Sequence, residues 1–150
     1  MSAPRIVLGA LNAYMASRVP SFGVAHSAEQ LTGGASNPTF LVETSAGKFV
    51  VRARPLGAAA NAHAVDREYS ILAKLAGADL PTPHVLHLCE DESVIGSVFY
   101  VMDYVPGRVF ADRLMTESDP QERRAVYLSL AATLAQLHRI EPAACGLDTL

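Results

Sequence analysis

The sequence contains no tryptophan and only two cysteines, and 18% of its residues are charged. Cys89 and Cys145 lie far apart, with no C-x-x-C motif and no histidine at ligand spacing. This pattern argues against a disulfide framework or a zinc site and favours a reducing, cytoplasmic compartment. No stretch approaches the roughly 20 apolar residues that a membrane span needs. The net charge of -3 at pH 7 gives no general attraction to nucleic acid or to an anionic membrane.

Half of the 150 residues are hydrophobic, which is enough for a packed core in one domain or one lobe of a larger one. The segment Ile6–Ala16 follows Arg5 and resembles a weak secretory signal, but polar residues interrupt it. A helical repeat favours a surface helix from Ile6 to Val19 instead; its members are Val7, Leu11, Tyr14 and Arg18.

Alternation and turn residues predict five strands. They are Ala28–Thr32, Thr39–Thr44, Phe49–Arg54, His84–Glu90 and Ser97–Tyr104. A helix is expected over Asn61–Ala76, between the third and fourth strands, with Val65, Leu72 and Leu75 on its apolar stripe. Strands joined mostly as hairpins, with one helix packed on them, predict an α+β lobe with an antiparallel sheet.

Only helices are predicted after the fifth strand. A short helix is expected near Phe110–Met115, and a long one from Pro120 to Ile140 with Asp119 as its N-cap. The long helix has an apolar stripe that is expected to face a core: Tyr127, Leu130, Leu134 and Leu137. We therefore divide the chain into a lobe of residues 1–105 and the beginning of a helical region, residues 106–150.

Glu68 is the most informative anomaly, because it lies on the apolar stripe of the helix after the third strand. A carboxylate there should be desolvated, which is costly unless a cation meets it. Arg52 is the nearest candidate, since alternation places it on the face opposite Phe49 and Val51. Two interpretations stay open at this point. The pair is structural, or Glu68 holds a cation that binds phosphate oxygens.

The glycine-containing segment Gly33–Phe40, "GGASNPTF", is either an ordinary hairpin connection or a loop that cradles phosphate. Neither G-x-G-x-x-G nor a Walker A motif is present, since Gly47-Lys48 is followed by Phe49. Longer segments of the sequence are more specific than this loop. They are "FVVRARPLG", "VDREYSILAKLAG", "LPTPHVLHLCED", "IGSVFYVMDYVPGRVF" and "LAQLH". Together these segments resemble the aminoglycoside phosphotransferase/choline kinase-like family, in particular its subgroup associated with acyl-CoA dehydrogenases.

The resemblance implies a protein-kinase-like N-terminal lobe and the first helices of a helical C-terminal lobe. It implies that ATP is bound, with Ser36 and Asn37 near its phosphates and Arg52 paired with Glu68. Four residues would form the hinge that binds adenine through its backbone: Met102, Asp103, Tyr104 and Val105. The acceptor would be a hydroxyl of an unidentified small molecule, and the subgroup's association suggests an acyl-linked hydroxyl. A nucleic-acid or membrane partner is not expected.

The sequence departs from the family in one respect. Kinases of this type use a loop with an H-x-D core, an asparagine about five residues later and a further aspartate for Mg²⁺. None of the five histidines has aspartate two residues later. We therefore expect no catalytic residue and no metal ligand in this chain, with the Mg²⁺ ligands in a C-terminal half. The alternative is a nucleotide-binding or regulatory module that works without chemistry.

Overall fold

The structure is a computed structural model that describes residues 3–31, 36–58, 64–110 and 112–148. Within these ranges the helices are α1 (Leu8–Arg18), α2 (Val65–Leu75) and α3 (Pro120–His138). The strands are β1 (Ala25–Gln30), β2 (Thr39–Thr44), β3 (Gly47–Ala53), β4 (Val85–Cys89) and β5 (Phe99–Asp103). Short 3-10 turns cover Pro20–Phe22 and Pro142–Cys145.

The five strands form one antiparallel sheet in the order β1-β2-β3-β5-β4. Hairpins join β1 to β2, β2 to β3 and β4 to β5, whereas α2 lies in the connection between β3 and β4. The predicted α+β lobe is therefore confirmed. The order places β3 at the centre of the sheet, between β2 and β5, so side chains from both neighbours meet those of β3.

Alternation along the strands divides the sheet into two faces. Phe49, Val51 and Ala53 of β3 lie in the larger core cluster, together with Phe99 and Val101 of β5. The smaller cluster on the other face is formed by Val65, Val85 and Tyr100, with Tyr69 and Leu72 of α2 packed against it. As predicted, Arg52 lies on the face opposite Phe49 and Val51.

The first helix is amphipathic, and the sequence predicted its buried side only in part. Leu11 and Met15 are fully buried, whereas Val7 precedes the helix and is 55% exposed. Asn12 accepts from the backbone N–H of Ala25 (2.7 Å) and donates to the carbonyl of the same residue (3.0 Å). These bonds tie α1 to the start of β1.

Strand β1 begins earlier than predicted, at Ala25 instead of Ala28. Asn12 satisfies the backbone of Ala25, and this residue is already opposite Thr44 of β2, so the strand is anchored at that point. The predicted end at Thr32 falls outside the described residues. The bounds of β2 are those predicted, because strict alternation and the turn after Thr44 define both of its ends.

The chain divides into two compact units, Met1–Ala73 with Pro83–Tyr104, and Lys74–Thr82 with Val105–Leu150. The predicted short helix near Phe110–Met115 is wrong for the described residues, since 112–115 form turns. Asp112 accepts from the backbone N–H of Leu114 and of Thr116 (both 2.9 Å), and Met115 has a φ of 49°. An aspartate that binds the backbone ahead of it favours a turn over a helix.

Helix α3 begins as predicted, because Asp119 accepts from the backbone N–H of Gln121 (2.8 Å) and Pro120 occupies the first turn. Its expected core stripe is not buried. Tyr127, Leu130 and Leu134 are 46%, 62% and 49% exposed. None of the helices in the described ranges has the length and apolar character that crossing a bilayer requires.

Candidate functional site

The candidate site is built on a row of three residues that face each other across the centre of the sheet. Thr39 of β2 is opposite Arg52 of β3, and Arg52 is opposite Tyr100 of β5. All three side chains point to the face on which α2 packs. Directly opposite residues lie within about 5.5 Å at Cβ, so the row places a hydroxyl and a phenol beside one guanidinium.

Glu68 comes from the first turn of α2 and binds Arg52 through both carboxylate oxygens. Arg52 Nε donates to Glu68 Oε2 (2.6 Å), and Arg52 Nη2 donates to Glu68 Oε1 (3.2 Å). Hydrogen bonding to Glu68 is the main reason why the pKa of Arg52 is raised above its ordinary value. The predicted pairing is therefore present, and its bidentate geometry is one that lysine cannot provide.

The expected desolvation of Glu68 is only partly present. The Glu68 side chain is 37% exposed and that of Arg52 is 27% exposed. Ion pairs with this much solvent access contribute about 0–1 kcal/mol to stability. Glu68 lies on the apolar stripe of α2, but its carboxylate is at the edge of a cleft. It is therefore more exposed than its position on the stripe predicts.

Two further side chains donate to Glu68. Asn37 Nδ2 donates to Oε1 (3.0 Å), and the Tyr100 hydroxyl donates to Oε2 (3.3 Å). Each carboxylate oxygen therefore accepts two hydrogen bonds, which fixes the plane of the carboxylate. Burial, followed by the charge of Glu68, raises the pKa of Tyr100 above its ordinary value, so its phenol stays protonated and keeps donating.

Asn37 is 3% exposed, which is unusual for an asparagine beside a loop. Its Oδ1 atom has no hydrogen-bond partner among the residues that the structure describes. Ser36 lies next to it at an exposed bend. Gly33, Gly34 and Ala35, which belong to the expected phosphate loop, lie outside the described residues.

A cleft of about 360 Å³ opens beside the ion pair. Its walls are mostly apolar, and its lining residues are Arg52, Glu68, Ile71, Leu72, Pro83, Tyr100 and Met102. Met102 therefore shares a cavity with Arg52. The other three expected hinge residues, Asp103, Tyr104 and Val105, are exposed and do not line this cleft.

The end of β5 is held by the segment before β4. The backbone N–H of Asp103 donates to the carbonyl of His84 (2.9 Å), and the Asp103 carboxylate lies 3.6 Å from the His84 ring. Both side chains are at least half exposed. The first two expected hinge residues, Met102 and Asp103, therefore belong to β5, and Tyr104 and Val105 follow it.

The family model described as the phosphotransferase enzyme family matches residues 27–150. The chain belongs to this family. It is 42% identical over 145 residues to acyl-CoA dehydrogenase family member 11 of Gallus gallus, covering 93% of this chain and 18% of the relative. It is 38% identical over 156 residues to the probable acyl-CoA dehydrogenase IBR3 of Arabidopsis thaliana, covering 98% of this chain and 19% of the relative.

A similar solved structure is a crystal structure of a Ralstonia eutropha protein assigned to the aminoglycoside phosphotransferases. The TM-score is 0.78 at 40% identity, and the match covers 97% of this chain and 42% of that one. The chain thus spans about a fifth of the length of the curated relatives it matches, and under half of the solved one.

Sequence reasoning missed Thr39 and Tyr100 as parts of the candidate site. Both could have been found by extending the alternation argument from Arg52 to the neighbouring strands. The register that sets Tyr100 opposite Arg52 and Thr39 opposite Arg52 is a tertiary property, which one strand's sequence does not show.

Among the described residues, the histidines and Cys89 are not gathered into a second site. The His87 ring and the Tyr14 hydroxyl share a hydrogen bond (3.0 Å), and Cys89 is fully buried in the core, where it packs as a small apolar residue. His138 is exposed at the end of α3, and His63 lies outside the described residues. Within the described ranges, no three His, Cys, Asp or Glu side chains are placed to hold a metal ion together.

Proposed function

We propose that this chain supplies the ATP-binding lobe of a phosphotransferase that moves the γ-phosphate of ATP to a hydroxyl group of a small molecule. Membership of the phosphotransferase enzyme family supports the reaction class. The observation that carries the proposal is the guanidinium of Arg52, which Glu68 holds through two hydrogen bonds at the mouth of a cleft.

Arg52 has donors left for a phosphate. Its Nε, Nη1 and Nη2 atoms each make one hydrogen bond within the part of the chain that the structure describes. A guanidinium carries five N–H bonds, so one N–H on Nη1 and one on Nη2 are free of these contacts. N–H donors on a planar cation match the oxygens of a phosphate.

The other proposed contacts follow from the positions of the neighbouring segments. Asn37 donates to Glu68, and Ser36 and Asn37 would lie near the phosphates. Met102 and the backbone of Asp103, Tyr104 and Val105 would bind adenine at the end of β5. Mg²⁺ neutralises phosphate charge in this chemistry, and the described ranges hold no cluster of three His, Cys, Asp or Glu side chains that could bind it.

The acceptor is proposed only as a class. The relatives named as acyl-CoA dehydrogenases support a hydroxyl carried by an acyl group. We further propose a cytoplasmic location, because the two cysteines are free and one is buried.

ATP titration by calorimetry of the full chain that carries this sequence tests the proposal. Arg52→Ala is expected to weaken ATP binding by about tenfold to a thousandfold, because a charge-assisted phosphate contact is lost. Arg52→Lys should weaken it less, since the charge stays. Arg54→Ala is the matched control: it breaks a neighbouring ion pair, with Glu92, and screening should limit its effect to about twofold.

Each result has a definite meaning for the proposal. Unchanged ATP affinity in Arg52→Ala would remove Arg52 from the site. Absence of ATP binding by the unaltered protein would contradict the function itself.

The second candidate function is a non-catalytic nucleotide-binding or regulatory module. The observation that favours it is the absence of an H-x-D core in these 150 residues. Sequencing the gene beyond Leu150 separates the two. An H-x-D-x-x-x-x-N stretch there supports the enzyme, and a longer protein without one supports the module.

A further inference from the structure

The Arg52–Glu68 ion pair is part of a closed ring of hydrogen bonds that also includes Asn37 and Thr39. Asn37 Nδ2 donates to Glu68 Oε1 (3.0 Å), and Arg52 Nη2 donates to the same oxygen (3.2 Å). Arg52 Nη1 donates to Thr39 Oγ1 (3.1 Å), and Thr39 Oγ1 donates to the carbonyl of Asn37 (3.1 Å). Four residues from two strands, a loop and a helix are thereby joined without a gap.

Thr39 can fill its place in the ring only because a hydroxyl both accepts and donates. Its oxygen accepts from Arg52 while its hydrogen goes to the Asn37 carbonyl. The Arg52 guanidinium is thus held on two sides, by Glu68 at Nε and Nη2 and by Thr39 at Nη1. Hydrogen bonds on two sides restrain the plane of the guanidinium. The directions of its remaining N–H bonds are restrained with it.

Asn37 is oriented by the charge that it meets. The opposite amide orientation would place Oδ1 against the Glu68 carboxylate, which is repulsive, so Nδ2 must face Glu68. The Asn37 side chain is buried, and its position is therefore coupled to that of Glu68. Because Asn37 and Pro38 lead directly into β2 at Thr39, this coupling joins the start of β2 to Glu68.

We propose that Asn37 and Thr39 are positioning residues that join residues 37–39 and the Arg52–Glu68 pair into one unit, so that the N–H bonds of Arg52 outside this unit bind phosphate. This inference rests on the proposed function, since it assigns a purpose to the same site. It adds a coupling that neither the loop nor the ion pair provides alone.

Thr39→Val is the direct test, because valine keeps the β-branched shape of threonine and removes only the hydroxyl. The probes are ATP and adenosine, with affinities measured by NMR titration of the full chain. ATP affinity should fall about fivefold through the lost charge-assisted bond, while adenosine affinity, which needs no phosphate contact, stays unchanged. Thr39→Ser keeps a hydroxyl and should restore the ratio of the two affinities.

Thr44→Val at the other end of β2 is the matched control. Thr44 is buried and makes two hydrogen bonds in the turn to β3, so the same substitution there tests for a general loss of stability. It should leave the affinity ratio unchanged. In an Arg52→Lys background, Thr39→Val should have no further effect on the ratio, because the group it positions is gone.

Asn37→Asp tests the other side of the ring through pH. At pH 8 the introduced carboxyl group and Glu68 repel each other, and the ATP-to-adenosine ratio should fall about tenfold relative to the unaltered protein. At pH 5.5 the pair can share a proton, which restores a donor toward Glu68, and the deficit should shrink. The other charged and titratable groups around this position are Arg52 and Tyr100, which stay protonated throughout.

Four results would overturn the inference. The first is a Thr39→Val protein whose ratio of ATP affinity to adenosine affinity is unchanged, while Arg52→Ala lowers that ratio. This would show that Arg52 acts without Thr39, and the proposed function would remain. A Thr39→Ser protein as impaired as Thr39→Val, or a pH-independent deficit in Asn37→Asp, would reduce these residues to structural ones. Absence of ATP binding by the unaltered protein would overturn both proposals.

Discussion

Arg52 and Tyr100 face each other directly on β3 and β5, and both donate to the Oε2 atom of Glu68. The two bonds differ in strength. The Arg52 bond is short at 2.6 Å and charge-assisted, whereas the Tyr100 bond is 3.3 Å long. Arg52 therefore sets the position of the carboxylate, and Tyr100, which is buried, supports it with a weaker bond.

Tyr100→Phe should have a small effect on stability. It removes one long hydrogen bond and leaves Glu68 with three others, so the expected loss is about 0.5–1.5 kcal/mol in the free energy of unfolding. Tyr69→Phe is the control, because Tyr69 packs against the Tyr100 ring at 6.1 Å from the other side of the same cluster. Equal stability of Tyr100→Phe and the unaltered protein in urea would show that the phenol contributes nothing to the network.

His87 should make the folded chain less stable in mild acid. Burial, and then repulsion by Arg18, lowers the pKa of His87 below its ordinary value of 6.5, so the unfolded chain binds the proton more readily. The stability that depends on a neutral His87 is fully present above pH 6.5. It is lost as the pH falls from there toward the folded-state pKa of His87. Urea unfolding at pH 7.5 and 5.5 measures it.

The variant for this prediction is His87→Gln, which can still hydrogen-bond Tyr14. It should reduce the loss of stability between the two pH values. An undiminished loss in His87→Gln would assign the acid sensitivity to other groups.

The exposed apolar side chains of α3 should drive association of the isolated 150-residue chain. They include Tyr127, Leu130, Leu134 and Leu137, and each forgoes roughly 1.5–3 kcal/mol while it stays in water. Light scattering should detect dimers or larger species. Leu130→Lys with Leu134→Lys should shift the chain toward monomer, and Ser129→Lys with Ala132→Lys on the opposite side of the helix should not.

Hydrogen exchange gives a second measurement of the same property. A monodisperse monomer with slow exchange across Leu128–Leu137 would contradict the prediction, since the helix would then be covered within this chain.

The 150 residues alone are expected to transfer no phosphate. Positioning of the nucleophile and neutralisation of phosphate charge supply most of the rate in this chemistry, and the sequence lacks the H-x-D core that provides them. Assays with labelled ATP and a panel of hydroxyl compounds measure this. Robust transfer by the purified chain would require a catalytic carboxylate here, with Asp66, Asp91 and Asp103 as the candidates.

The sequence was sufficient where one residue's chemistry or a strict alternation decides the structure. The bounds of β2, the face of Arg52, its pairing with Glu68 and the N-cap at Asp119 are all of this kind. Local signals failed where a side chain from elsewhere intervenes. Asn12 anchors β1 three residues early, and Asp112 holds a turn where helix was predicted.

The hydrogen-bonded ring could not have been predicted from one segment. Thr39 and Tyr100 join it through strand register, and register depends on how β2, β3 and β5 pair. The exposure of Glu68 likewise depends on how α2 packs on the sheet. These are tertiary relationships, whereas periodicity describes one element at a time.

The most direct test of the central claim is the NMR signal of the Arg52 Nε–H group during titration of the full chain with ATP, assigned by its loss in Arg52→Lys. We predict that ATP shifts this signal in proportion to saturation, because phosphate binds the same guanidinium that Glu68 holds, and that adenosine leaves it unmoved. ATP binding that shifts other resonances while the Arg52 signal stays in place would contradict the claim.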